Sequence, residues 1–187
     1  QSVMHKLHGE YEVIQQLQLQ KQRLEQRLSA AEEASRDPGT LRVLELFAGT
    51  LSVGKVAAEM GWEVVSIDNM LVQGLPEPTI VCDIMEWDYT CSQPGHFSAV
   101  WASPPCTTFS QLSHFNSTRK PRDEQIQDIK EQGLPLLDKT IEIIQYFQPK
   151  KYFLENPATG KMKMFLKGPF TDVTYHAYGY SYKKPTR

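Results

Sequence analysis

Apolar and polar positions divide the chain near residue 38. Between residues 3 and 35, apolar or long side chains fall at Met4, Leu7, Tyr11, Ile14, Leu17, Lys21, Leu24, Leu28 and Ala31. Their spacing is that of a heptad seam with a stammer near Ile14. The stretch is rich in Gln, Glu, Leu, Arg and Ala, and its Gly9 is followed by no further breaker before Pro38. It predicts one long N-terminal helix. Two uses fit that helix: a coiled coil made by self-association or with a partner helix, or an amphipathic helix lying on its own domain. Asp37-Pro38-Gly39 ends it.

From Leu41 the period changes. Short apolar runs, each bounded by turn residues, predict strands at 41–47, 63–67, 78–82, 97–102, 151–154 and 173–177. Ser52 to Met60 and Leu134 to Phe147 predict helices between them. Strands alternating with helices indicate an α/β fold with a doubly wound, mostly parallel sheet. The division expected is a helical segment at 1–38 and one α/β domain at 39–187.

Composition narrows the class. With 187 residues, 40% hydrophobic and 22% charged, the chain has the make-up of an ordinary globular domain rather than a disordered one. No apolar run approaches the length of a membrane span, and the N-terminus has no signal-peptide core. The first residue is Gln, which fits an excised or processed piece. Three cysteines without a Cys-x-x-Cys pair, and scattered histidines, argue against a disulfide scaffold or a metal site. An intracellular, reducing compartment follows, nuclear in a eukaryote and cytoplasmic otherwise. The net charge of −2 hides an asymmetry: residues 39–146 are acidic on balance and residues 147–187 basic. A basic end fits either phosphate binding or a solvated surface.

In parallel sheets ligands sit beyond the carboxyl ends of the strands. The first strand ends in Phe47-Ala48-Gly49-Thr50, the second in Asp68 and the third in Asp83. Asp68 is placed to accept from a ribose diol and Asp83 to read an amino group on a base. The Gly-x-Gly-x-x-Gly run of a dinucleotide site is absent. This set fits a nucleoside without phosphates, such as S-adenosylmethionine, although each acid alone is equally explained as a helix cap. The fourth strand leads into Pro104-Pro105-Cys106, a rigid turn that would aim a thiolate nucleophile. A lone cysteine is more often packing. The fifth ends in Glu155-Asn156-Pro157, where a carboxyl group facing the same crevice could hold a ring nitrogen and an exocyclic amine of a base, or simply shape a turn.

Together, Phe47-Ala48-Gly49, Asp68, Asp83, Pro104-Pro105-Cys106 and Glu155-Asn156 resemble, in order and strand-end placement, the cytosine-C5 DNA methyltransferases. The resemblance spans about residues 41–187 and implies a Rossmann-like S-adenosylmethionine methyltransferase fold. It implies a cofactor site at Phe47, Ala48, Gly49, Asp68, Asn69, Asp83, Ile84 and Pro104, and catalysis by Cys106, Glu155, Asn156 and Lys184. It further implies that Cys106 adds to C6 of a flipped-out cytosine, that Asn156 steadies the Cys106 loop, and that Thr107 to Arg122 closes over the base. The chain departs from the family at Pro157, where Val is usual. It also departs in the Gln-x-Arg-x-Arg segment, where Tyr182 replaces Gln, Lys184 stands near the first Arg and Arg187 roughly near the second. With no counterpart of the target recognition domain, a compact viral or phage-like form or a truncated chain is implied. DNA is the implied partner. RNA, or a catalytically silent S-adenosylmethionine-binding regulatory module that dimerises through residues 3–35, are the alternatives.

Overall fold

The computed structural model describes residues 39–71, 73–74, 76–109, 121–178, 181 and 184–187, together with Leu17, Gln18, Lys21 and Arg23, which are helical. The rest of the expected long helix and its seam lie outside the described residues, as do Tyr182 and most of the expected closing loop.

Five strands form one parallel sheet: β1 (Arg42–Leu46), β2 (Glu63–Asp68), β3 (Ile80–Val81), β4 (Ala99–Ala102) and β5 (Lys151–Leu154). Their order is β3-β2-β1-β4-β5. Helix α1 (Ser52–Glu59) covers one face, where Val43, Ala57 and Ala99 pack together. Helix α2 (Arg122–Asp128) leads to helix α3 (Leu134–Phe147), whose Ile143, Ile144 and Phe147 pack with Leu44, Leu46 and Val100 on the other face. Apolar side chains on both faces explain why β4 reads as an unbroken hydrophobic run and β1 as one broken only by Glu45. The sheet is therefore doubly wound, α/β and Rossmann-like, as the pattern predicts.

Several boundaries differ from the expectation, for physical reasons. The third strand shrinks to two residues because Ser66 and Thr79 exchange side-chain bonds in place of the ladder: Thr79 N–H donates to Ser66 Oγ at 2.9 Å, and Ser66 N–H to Thr79 Oγ1 at 3.2 Å. The sixth, β6 (Val173–Thr174), does not join the sheet. It pairs antiparallel with β7 (Pro185–Thr186), whose proline has no N–H to extend the ladder.

Helix α2 has no apolar stripe that would announce it, and Arg122 opens it rather than closing the expected loop. A π-helical turn, Ile129–Gly133, joins α2 to α3. Pro135 cannot donate to the carbonyl four residues back, and the wide turn accommodates that gap. Gly133 is required there. A Cβ would lie 2.6 Å from Thr108 Oγ1 and 2.7 Å from the Phe109 ring. The helix is thereby pressed onto the turn that follows Cys106.

Candidate functional site

The register brings the strand ends level. Leu46 of β1 pairs with Ile67 of β2 and Ala102 of β4, and Ala102 with Leu154 of β5. Everything that follows those residues emerges at one edge of the sheet. The strand order reverses between β1 and β4, which is where such sheets take ligands.

On the β1–β2 side, the Phe47–Leu51 turn is unusual. Phe47, Gly49 and Leu51 all have positive φ, at 58°, 50° and 57°. For Phe and Leu this left-handed geometry costs about 1–2 kcal/mol each, so the surroundings must hold it. Two carboxylates do so. Asp68 Oδ2 accepts the Gly49 N–H at 2.8 Å, while its Oδ1 accepts from the Met70 N–H at 2.9 Å. Glu45 is 3% exposed and accepts the Val53 N–H at 3.1 Å and the Gly54 N–H at 2.8 Å. Leu51, the cap residue of α1, offers no side-chain bond, so Glu45 caps that helix from within the strand. Burial pushes the Glu45 carboxyl above its ordinary range, and the two backbone N–H groups pull it back. Gly54 makes room, since a Cβ would meet Glu45 Oε2 at 2.6 Å.

The other expected cofactor residues are distributed unevenly. Ala48 is buried and its N–H donates to Ile67 O at 3.0 Å. Phe47 packs against the main core. Asn69 and Asp83 are exposed, and Asp83 Oδ1 accepts the Met85 N–H at 2.9 Å. Ile84 is buried in the core, and Pro104 is buried beside the β4 end. A Cβ at Gly49 would meet nothing within 4 Å, and the Asp68 oxygens keep lone pairs after their backbone bonds. These features fit a ribose-bearing ligand at the β1 and β2 ends.

On the β4–β5 side, Cys106 is a half-buried free thiol. It packs against the cluster of Phe109, Ile129, Leu137 and Met162, as does Leu154 at the end of β5. The Cys106 carbonyl accepts the Phe109 N–H at 3.0 Å. Across the strand pair, Glu155 N–H donates to Ala102 O at 2.8 Å. β4 and β5 thus end level, and Cys106, four residues beyond Ala102, shares an apolar cluster with Leu154, the residue before Glu155.

The C-terminal strand supplies the partners of Glu155. Thr186, which is buried, donates its hydroxyl to Glu155 Oε1 at 3.0 Å, and Lys184 Nζ lies 3.8 Å from the same oxygen. Arg187 does not reach Glu155. Its guanidinium pairs with Asp172 at 2.7 Å and sits 3.7 Å from the centre of the Phe170 ring. Asn156, 1% exposed, exchanges backbone bonds with Arg187 at 3.0 and 2.8 Å, and its Nδ2 donates to Arg187 O at 3.3 Å. Among the described residues its bonds run to the C-terminal strand. Asn156 Oδ1 and Thr108 Oγ1 are buried without a partner among the described residues.

Sequence reasoning missed Glu45 and Thr186. A charged residue inside the apolar run of β1 was the available signal for Glu45. Thr186 had none, because a two-residue strand after a proline leaves no pattern. Among the described residues, no cluster of three or more His, Cys, Asp or Glu side chains could hold a metal, and no helix is long and apolar enough to cross a membrane.

No family model matches the chain. It is similar to a Frog virus 3 (isolate Goorha) protein named probable DNA (cytosine-5)-methyltransferase, with 42% identity over 153 residues, covering 79% of this chain and 69% of that protein. With the strand order, the Phe47-Ala48-Gly49 turn and the Pro-Pro-Cys and Glu-Asn strand ends in place, this likeness shows that the chain belongs to the DNA (cytosine-5)-methyltransferase family.

Proposed function

We propose that this protein transfers a methyl group from S-adenosylmethionine to C5 of cytosine in DNA, with residues 39–187 as the methyltransferase domain. The observation that supports this reading is that β4 and β5 end level at Ala102 and Leu154, that Cys106 and Leu154 pack on one apolar cluster, and that Glu155, next after Leu154, is anchored by Thr186 and Lys184. S-adenosylmethionine supplies an electrophilic methyl, and the Phe47–Gly49 turn with Asp68, Asn69, Asp83, Ile84 and Pro104 would hold it.

Cytosine C5 is a poor nucleophile until C6 carries an electron-donating group. Cys106 Sγ forms a bond to C6, and the ring electrons move toward C5. Glu155 donates a proton to N3 from the oxygen that Thr186 leaves free and accepts from the exocyclic amine, which favours the enamine form. After C5 has taken the methyl, a base, for which water suffices, takes the C5 proton; its electron pair re-forms the C5–C6 double bond and expels Cys106 as the thiolate. Lys184 adds positive charge beside Glu155, and Asn156 fixes the turn from which Glu155 projects. The exposed Leu17, on a helical stretch of the N-terminal segment, supports self-association or a partner helix through residues 3–35.

A 5-fluorocytosine oligonucleotide tests the mechanism, since fluorine at C5 cannot leave as a proton does. A covalent adduct is expected that needs both S-adenosylmethionine and Cys106. An adduct that survives Cys106→Ala would remove this residue from the role. No adduct with DNA or RNA, with cofactor binding intact, would leave the silent-module reading.

A further inference from the structure

Beside the Cys106 turn lies a surface that the chemistry above does not use. After Asn156 the chain runs back along the Cys106 side of the sheet. Lys161 N–H donates to Phe109 O at 2.8 Å, Met162 is fully buried against Phe109, and the rings of Phe109 and Phe165 lie 5.9 Å apart. Leu166 packs on the same cluster as Cys106. The inner side of this segment is therefore fixed to the turn that carries the nucleophile. Its outer side exposes apolar groups: Met164 is 74% exposed, Phe165 43% and Phe170 64%. Lys163 and Lys167 alternate with them and are exposed. No acidic residue occurs between Glu155 and Asp172, whereas residues 39–146 are acidic on balance.

Exposed apolar side chains close together mark an interaction surface, and the charge selects the occupant. A polyanion is drawn to the basic stretch and turned away from the acidic remainder. The N-terminal segment at 1–38 holds 6 Asp plus Glu against 5 Lys plus Arg, so it brings little charge to match the lysines. We infer that Lys161–Phe170 is the duplex-docking surface of this methyltransferase. Lys163 and Lys167 meet phosphates, and Met164 and Phe165 press against the base stack at the gap a flipped cytosine leaves. Apolar side chains inserted at opened base steps serve other nucleic-acid-binding proteins in this way. The inference rests on the reading of the protein as a DNA methyltransferase, and deepens it by saying where the duplex lies.

The test uses the full chain, its Lys163→Gln/Lys167→Gln double variant and Met164→Ser, all distant from the proposed cofactor residues in sequence. Calorimetric S-adenosylmethionine affinity serves as the folding control and is expected to be unchanged. Duplex binding by fluorescence anisotropy, between about 50 and 200 mM salt, should show the double variant losing about 2 from the slope of log affinity against log salt, at roughly 0.9 per phosphate contact. Met164→Ser should slow adduct formation with a paired 5-fluorocytosine more than with a mismatched one, because a mismatched base is already easier to extrude.

Unchanged duplex affinity and salt slope in the double variant would overturn the docking surface, even with adduct formation intact. So would a wild type that binds no duplex. Variants that keep duplex affinity but lose self-association in sedimentation would assign the surface to a second copy of the chain. If the double variant loses the expected slope but wild type traps no 5-fluorocytosine, the docking surface stands and the methylation reading fails.

Discussion

Replacing Glu45 with Gln isolates what a buried carboxylate does for the β1 turn. The carboxylate accepts two backbone N–H groups at the start of α1, from Val53 at 3.1 Å and Gly54 at 2.8 Å. The amide oxygen of Gln can keep one of these bonds, but its Nε2 then aims a donor at a donor. Leaving one buried N–H unsatisfied costs about 1–3 kcal/mol. Against this, Gln avoids burying a charge, the effect that pushes the Glu45 carboxyl upward.

The raised value fixes the sign of the pH dependence. A carboxyl that holds its proton more tightly folded than unfolded makes the fold more stable at low pH. That contribution falls as pH rises through the window above the ordinary value of 4.5. Urea unfolding followed by tryptophan fluorescence, at pH values from about 4 to 8, should show this decline in wild type and not in Glu45→Gln. At neutral pH the variant should be less stable by about 1–2 kcal/mol after the two effects offset. Its S-adenosylmethionine affinity should fall as well, since α1 and the left-handed turn share this support. Equal stability and equal pH slopes in the two proteins would refute the capping role.

Other substitutions probe the site from different sides. Thr186→Val removes the hydroxyl that holds Glu155 Oε1; losing a hydrogen bond to a charged group, worth about 1.5–3 kcal/mol, should slow 5-fluorocytosine trapping by about tenfold or more, with Thr186→Ser restoring it. Trapping at the wild-type rate in Thr186→Val would show that Glu155 needs no such anchor. Gly133→Ala places a Cβ against Thr108 and Phe109 and should cost about 1–3 kcal/mol in thermal melts; a neutral result would mean the π-helical turn yields easily. Asp68→Ala should weaken S-adenosylmethionine binding by about 1–3 kcal/mol in calorimetry, and an unchanged affinity would move the cofactor away from the β2 end.

The legible parts of the fold were those with a continuous hydrophobic signal. β1, β2, β4 and α3 are largely apolar runs or stripes packed on the core, β5 is an apolar run whose Tyr152 and Phe153 stand exposed, and the α3 bounds of Leu134 and Phe147 match the expectation. What escaped was built by polar or single-residue devices. Helix α2 is held by its continuity with α3 across the π-helical turn, and its own sequence, Arg-Asp-Glu-Gln-Ile-Gln-Asp, has no apolar face to betray it. β7 exists because Pro185 and Thr186 pair with Thr174 and Val173, with Asn156 and Arg187 exchanging backbone bonds beside them, pairings between residues far apart in sequence that no local pattern encodes. The strand-end residues were legible for a different reason: in a parallel sheet, the last apolar residue of each strand marks where the chain emerges.

That geometry also sets Lys184 and Arg187 on different sides of the C-terminal strand. β7 binds the Glu155–Ala158 stretch edge to edge, with Ala158 N–H donating to Pro185 O at 3.2 Å and Arg187 N–H to Asn156 O at 2.8 Å. Side chains alternate along an extended segment, so Lys184 and Thr186 share a side and Arg187 takes the other. Counting by two from Lys184 therefore reaches Thr186, which touches Glu155 Oε1. Counting by three reaches Arg187, which turns to Asp172 and Phe170. A hydroxyl donor at the first of these positions holds Glu155 without adding a second full charge beside that of Lys184. Among the described residues, the anchoring of Glu155 therefore comes from one ammonium and one hydroxyl, and the Arg187 guanidinium instead pairs with Asp172 beside β6 and stacks on the Phe170 ring.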